Sequence, residues 1–216
     1  MSTSDTAMTV LHQIAYFQQR RDEVPNQELA RDLAEQRDLA GIREIAENLA
    51  NDNAQIQSDC VKVLYEIGYR EPQLIAAYAP AFLALLSSRN NRLVWGGMIA
   101  LSTIAGIVAD DLFVHRALIE EAIEHGSVIT ADNGIKTLAR IAAADPRYAE
   151  AIFPSLLRHL ETCREKDLPQ YAESVAVAVN TANKHAFIAT LEQRLAGTPA
   201  SRAARLRKVI KAAQQR

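Results

Sequence analysis

The one tryptophan of the chain, Trp95, stands three residues beyond an arginine in the segment Asn90-Asn91-Arg92-Leu93-Val94-Trp95-Gly96-Gly97. On a helix that spacing puts Arg92 one turn before Trp95 and Ile99 one turn after it. An arginine and an indole beside glycines that leave backbone open form chemistry for gripping another protein, because tryptophan and arginine concentrate at binding hot spots. A second polar group lies in Gly126-Ser127-Val128-Ile129-Thr130-Ala131-Asp132-Asn133-Gly134, from which Asp132, Asn133 and the nearby Lys136 could extend a ligand contact. Ser127 and Thr130 also account for that segment as a capped helix start.

Other reactive residue types are present without the spacing that catalysis or metal binding needs. His159 and Cys163 are four apart and share a helix face, but a zinc site needs a second ligand pair. Glu121 and His125 repeat the spacing with no further partner. The chain holds no His-Glu-x-x-His, no phosphate-binding loop and no Gly-x-Ser-x-Gly elbow, so no catalytic residue, metal or cofactor is expected.

The elements that carry these residues repeat. Leu64, Leu101, Leu138 and Val175 are spaced 37 residues apart, and Ile67, Ile104, Ile141 and Ala178 keep the same step. So do Leu49, Leu86, Ile123 and Leu160, with Ile45, Phe82, Ile119 and Leu156 four residues before them. A fixed period of this length means one supersecondary unit stacked four times. Within each unit the second helix, B, shows Ile56, Cys60, Val63, Leu64 and Ile67, then Leu93, Gly97, Ala100, Leu101 and Ile104, the apolar stripe of an α-helix. The third unit carries a weaker stripe, Thr130, Gly134, Thr137, Leu138 and Ile141. Asn53, Asn90 and Ser127, again one period apart, stand where each B helix needs an N-cap. Pro80 and Pro154 recur two periods apart and should begin or kink the first helix, A.

Composition agrees with helix-on-helix packing: 49% hydrophobic residues but only 6% aromatic. The net charge of −2 hides a basic end, since residues 198–216 carry six basic and no acidic side chains while the rest is acidic. A duplex-binding protein needs a broad basic surface, so nucleic acid is not the expected partner. Met1 to Val10 lacks the pattern of a secretory signal, and the uncharged run Leu93 to Ala109 is broken by Gly96, Gly97, Ser102, Thr103 and Gly106. That run reads as a buried helix, and two cysteines far apart in sequence suit a reducing, cytoplasmic setting.

Paired helices with a proline in the first, and a second ending in Ala100-Leu101-Ser102-Thr103-Ile104-Ala105, resemble HEAT or armadillo-type repeats over about residues 38–182. The resemblance implies an all-α fold, an α-α superhelix of antiparallel helix pairs. The Val-Arg pair of the HEAT second helix is replaced by Ile56-Gln57, Leu93-Val94 and Thr130-Ala131, so that family's arginine ladder is not expected. Residues 1–37 would cap the array with one or two amphipathic helices, and residues 183–216 would close it with a helical pair, giving a single domain over 1–216.

In such arrays the B helices line the concave side. Opposite their apolar stripes fall Ser58, Lys62 and Tyr65, then Trp95, Ile99 and Ser102, then Asp132 and Lys136. The expected function is therefore a non-enzymatic scaffold that binds a protein or peptide at Arg92, Trp95, Ile99, Asp132 and Lys136. The alternative is a DNA-binding protein or base-excision glycosylase of the HEAT-like class, with Asp132 and Trp95 as its acid and aromatic. A role in modifying a cofactor-bearing protein, as in bilin-lyase-like HEAT proteins, follows from fold analogy alone.

Overall fold

A computed structural model describes residues 9–216. Positions 1–8 of the expected N-terminal cap, and most of the Met1 to Val10 stretch read as lacking a signal, lie outside the described residues. Among the described residues there are twelve α-helices, short 3-10 turns and no strand. Two compact units divide at Ile107 and Val108.

The first unit holds a 3-10 turn, Val10–Gln13, followed by α1 (Val24–Gln36), α2 (Leu39–Glu47), α3 (Ala54–Arg70), α4 (Ala79–Leu85) and α5 (Asn91–Ile104). Helix α3 packs against α1, α2 and α5, and α4 packs against α5. The second unit holds α6 (Ala109–Val114), α7 (Arg116–His125), α8 (Val128–Ala144), α9 (Pro146–Thr162), α10 (Leu168–Val175), α11 (Lys184–Leu195) and α12 (Ala200–Gln214). Its centre is α8, which packs on α6, α7, α9 and α10. The B helices of the repeat are α3, α5, α8 and α10.

The 37-residue rows become the cores of these units. Ile45, Phe82, Ile119 and Leu156 are each 0% exposed, and Leu64, Leu101, Leu138 and Val175 are at most 1% exposed. All three expected N-caps form: Asn53 accepts from the Gln55 amide at 2.9 Å, Asn90 from Arg92 at 3.0 Å and Ser127 from Thr130 at 3.2 Å.

One stretch takes three shapes at the same phase of the repeat. Residues 72–78 make two 3-10 turns, Pro72–Leu74 and Ala76–Tyr78, ahead of Pro80 in the first turn of α4. Residues 109–115 make α6 and a break at His115. Residues 146–152 run straight into α9, whose interior takes in Pro154 without its N–H. A short helical piece before helix A is thus an addition to the plain helix pair expected from periodicity.

Among the described residues two non-glycine residues have positive φ, Gln19 (54°) in the turn that follows the first 3-10 helix and Arg37 (51°) at the end of α1. The Arg37 amide donates to Ala34 and the Asp38 amide to Leu33, a Schellman closure that needs a left-handed residue at its turning point. Arg37→Gly should stabilise the chain by about 1 kcal/mol, because glycine lacks the Cβ clash of a left-handed residue. Urea unfolding checks it. An unchanged or lower midpoint contradicts the strain argument, since the exposed Arg37–Glu71 pair at 3.7 Å contributes little.

The absent arginine ladder has a substitute. Arg194 on α11 donates to the carbonyls of Leu160 (2.6 Å) and Cys163 (2.8 Å) at the end of α9, filling acceptors that a helix C-terminus leaves open. Arg216 does the same for Ala176 and Val179 after α10, and Arg205 pairs with Glu173 at 2.8 Å. Much of the basic C-terminal end therefore has structural work.

Candidate binding site

Helix α3 shows why the residues opposite its apolar stripe are not simply a free surface. Ser58, Lys62 and Tyr65 are 7%, 6% and 5% exposed, because α1 and the segment before it cover this side. Lys62 reaches Glu66 one turn on at 2.7 Å and Glu23, just ahead of α1, at 3.0 Å. Burial by itself would push the Lys62 ammonium down. The two carboxylates overcome this and hold it above the ordinary lysine value.

Glu23 also bonds Arg92 at 2.9 Å, linking the start of α1 to the first turn of α5. The Arg92 guanidinium lies 6.0 Å from the centre of the Trp95 ring, a cation–π distance. Trp95 meets Tyr65 at 6.3 Å between ring centres, Tyr65 meets Tyr69 at 5.9 Å, and the Lys62 ammonium lies 4.8 Å from the Tyr65 ring. A continuous aromatic row therefore crosses α3 and α5 with a cation at each inner ring. Tyr69 is 58% exposed, Trp95 is half-buried and Arg92 is exposed.

Arg92 and Trp95 are the part of this row that the sequence marks by spacing; the acidic partner Glu23 and the outer ring Tyr69 join them only in the fold. Tyr65 and Tyr69 were legible as an i, i+4 pair on α3, whereas nothing in the spacing announces Glu23. Ile99 is 7% exposed and Ser102 is 3% exposed, so these two pack inside their helix surroundings instead of presenting a contact. Ile99 is corrected to a supporting residue: its aliphatic side chain lies within the buried length of α5.

In the second unit Asp132 and Lys136 occupy the positions on α8 that Trp95 and Ile99 hold on α5. Asp132 is half-buried and accepts from Gln170 at 2.9 Å. Burial first, and then the Asp132 carboxylate, raise the Tyr171 phenol. Lys136 borders a shallow groove with Arg140, Gln170, Glu173 and Ser174. The expected helix cap accounts for the rest of this segment: Ser127 and Thr130 hydroxyls lie 3.0 Å apart, and Asn133 donates to the Ile129 carbonyl.

His159 packs edge-on against Tyr171 at 4.6 Å, and its Nε2 is buried with no hydrogen-bond partner. The Cys163 thiol points to the Leu160 carbonyl at 3.7 Å. Among the described residues no three His, Cys, Asp or Glu side chains gather as a metal would require. Burial lowers the His159 pKa below the ordinary value, opposed by Asp132. A histidine held neutral by the fold loses stability as pH falls below about 6.5, because the unfolded chain takes the proton first. Acidification from pH 7.5 to 5.5 should lower the urea midpoint, and His159→Phe should reduce that loss. Equal losses in both proteins would contradict it.

The fold is an all-α helical repeat of HEAT/armadillo type. It is similar to a designed armadillo repeat protein in complex with the peptide (KR)4, at TM-score 0.68 and 14% identity over 88% of this chain and 85% of that one. A second designed armadillo repeat protein matches at TM-score 0.67 and 13% identity over 94% and 98%. An engineered protein matches at TM-score 0.66 and 17% identity over 96% and 98%. At these identities the likeness carries the fold. No family model and no curated protein matches the sequence. Among the described residues no helix is long and apolar enough to cross a membrane.

Proposed function

We propose that the chain is a non-enzymatic interaction scaffold that holds a segment of another protein on the B-helix face of its first unit. The observation that carries this reading is the row Tyr69–Tyr65–Trp95, backed by Lys62 and Arg92, which combines rigid aromatic surface with fixed charges. Arg92, Trp95 and Tyr69 make the contact, while Lys62 and Tyr65 hold them in place. In the second unit Asp132 and Lys136 offer a polar patch of their own. A protein partner is favoured over nucleic acid because Lys62 and Arg92 on α3 and α5 lie among the carboxylates of Glu23 and Glu66, which leaves too little positive charge on this face to neutralise a run of phosphates. Armadillo-type scaffolds of the same fold that were designed for modular peptide recognition support the choice of occupant. The free cysteines support a reducing, cytoplasmic setting, with burial pushing the Cys60 thiol up to about 12.

The test is selection of peptides on the full chain from a displayed random library, followed by affinity measurement. Trp95→Ala should weaken the selected peptides at least 30-fold, since an aromatic hot spot contributes about 2 kcal/mol or more. Circular dichroism controls for folding, and Arg92→Ala provides a second, exposed substitution. Peptides that bind both variants as tightly as wild type would sink the reading. Lys136→Glu tests the second patch separately.

A further inference from the structure

Beside the aromatic row, and wholly within the first unit, a cleft of about 700 Å³ opens between the segment 15–23 and the first turns of α3 and α5. That volume is in the range of ligand sites and suits a stretch of only a few residues. Six charged side chains line it: Arg20, Arg21, Asp22, Glu23, Asp59 and Arg92. Their charges cancel three against three, but their free bonding capacity does not.

Every carboxylate oxygen in the cleft is already engaged. Asp22 receives Arg20 through both oxygens, at 2.9 and 3.0 Å, and also the Val24 amide. Asp59 receives the Asn26 amide at 2.9 Å on one oxygen and the Tyr16 backbone N–H at 2.8 Å on the other. Glu23 gives one oxygen to Arg92 at 2.9 Å and the other to Lys62 at 3.0 Å. The donors are in surplus. Arg21 is exposed and makes no hydrogen bond or ion pair among the described residues, and Arg92 spends a single terminal nitrogen on Glu23. A ligand entering here meets guanidinium donors of Arg21 and Arg92 that no carboxylate has taken up, beside carboxylates that each already accept at least two bonds.

The geometry points to this cleft as the docking place for an extended peptide that carries an anionic side chain, with Glu23 acting as the chain's own competitor for Arg92. The inference deepens the scaffold reading above and rests on it. The two bonds of Glu23 differ in permanence. The Lys62 side chain is buried and keeps Glu66 whatever Glu23 does, whereas the side chains of the Arg92–Glu23 pair are 44% and 39% exposed and their pairing contributes little. An incoming carboxylate or phosphate can therefore take Arg92 in a two-pronged bond, with Arg21 beside it, while Glu23 stays on Lys62.

The experiment uses the full chain and four pools of fluorescein-labelled octapeptides, with the central residue fixed as glutamate, phosphoserine, glutamine or lysine and the other positions drawn from uncharged residues. Fluorescence anisotropy at low and moderate salt reads affinity. The glutamate or phosphoserine pool should bind at least tenfold tighter than the glutamine pool, and which of the two leads identifies the source of the anion. Glu23→Gln should tighten that binding two- to fivefold by releasing Arg92, the range of an exposed ion pair. Arg21→Glu, which leaves Glu23 in place, should weaken it at least tenfold. Glutamine or lysine pools that bind as tightly as the glutamate pool would overturn the inference while leaving Trp95-dependent peptide binding intact. Glu23→Gln that weakens the anionic pools with its unfolding midpoint unchanged would also overturn it. If no pool binds and displayed peptides show no dependence on Trp95, both readings fail together.

Discussion

Asn26→Ala is expected to lower the stability of the first unit by about 2–4 kcal/mol, the cost of orphaning buried hydrogen-bonding groups plus a small cavity. Asn26 is 0% exposed at the start of α1. Its carbonyl oxygen accepts the Ala15 backbone N–H at 2.9 Å, and its amide donates to Asp59 on α3 at 2.9 Å. Asp59 in turn holds the Tyr16 N–H at 2.8 Å. Two backbone donors of the entering segment, one helix start and one B helix are thus joined through a single amide. Alanine would leave the Ala15 N–H buried and unpaired, and such a group retains its full desolvation cost. The same loss should loosen the segment bearing Arg20 to Glu23 and weaken anionic peptides at the adjoining cleft.

Urea unfolding followed by circular dichroism reads the cost, and hydrogen exchange at the Ala15 amide reads the local opening. Asn26→Asp gives a sharper second comparison. It keeps an acceptor for Ala15 but sets a carboxylate against Asp59, so it should be destabilising at neutral pH and recover as acid protonates one of the two. An Asn26→Ala protein within 0.5 kcal/mol of wild type would show that Asn26 is not the joint described.

Gly97→Ala is expected to cost about 1–3 kcal/mol despite the roughly 1 kcal/mol that alanine gains over glycine inside a helix. A Cβ at this position would lie 2.9 Å from the Leu85 Cβ and 2.9 Å from the Phe82 carbonyl oxygen. Both obstacles belong to the backbone or its immediate root on α4, so relief requires α4 and α5 to separate. The neighbouring Gly96 faces only the Val61 side chain, at 2.8 Å, and no backbone atom of another helix, so Gly96→Ala should be milder. Thermal unfolding of the two variants checks the order. Gly97→Ala at or above the wild-type midpoint would show that the helices are not held at glycine distance.

Most of the architecture was legible because it repeats. A 37-residue step in Leu64, Leu101 and Leu138, with Asn53, Asn90 and Ser127 ahead of each B helix, reports local rules that act independently of the rest of the chain: apolar periodicity and first-turn capping. Arg92 beside Trp95 was legible for the same reason, since one helical turn brings them together. Residues several turns or whole elements apart were not. Asn26 and Glu23 are ordinary polar residues near a proline in α1, and their partners Ala15, Asp59, Lys62 and Arg92 lie up to 69 positions away. Nor did periodicity reveal that the side of α3 carrying Lys62 would be covered, or that Ile99 would be buried.

The sequence by itself determined the all-α repeat, its period, its caps and its core rows, because these follow from forces acting within a turn or two of helix. Only the tertiary structure decided which polar residues face solvent and which charges meet. Burial and pairing depend on what a neighbouring element brings against a helix face. A repeat pattern specifies that neighbour's apolar stripe but leaves open its individual charges.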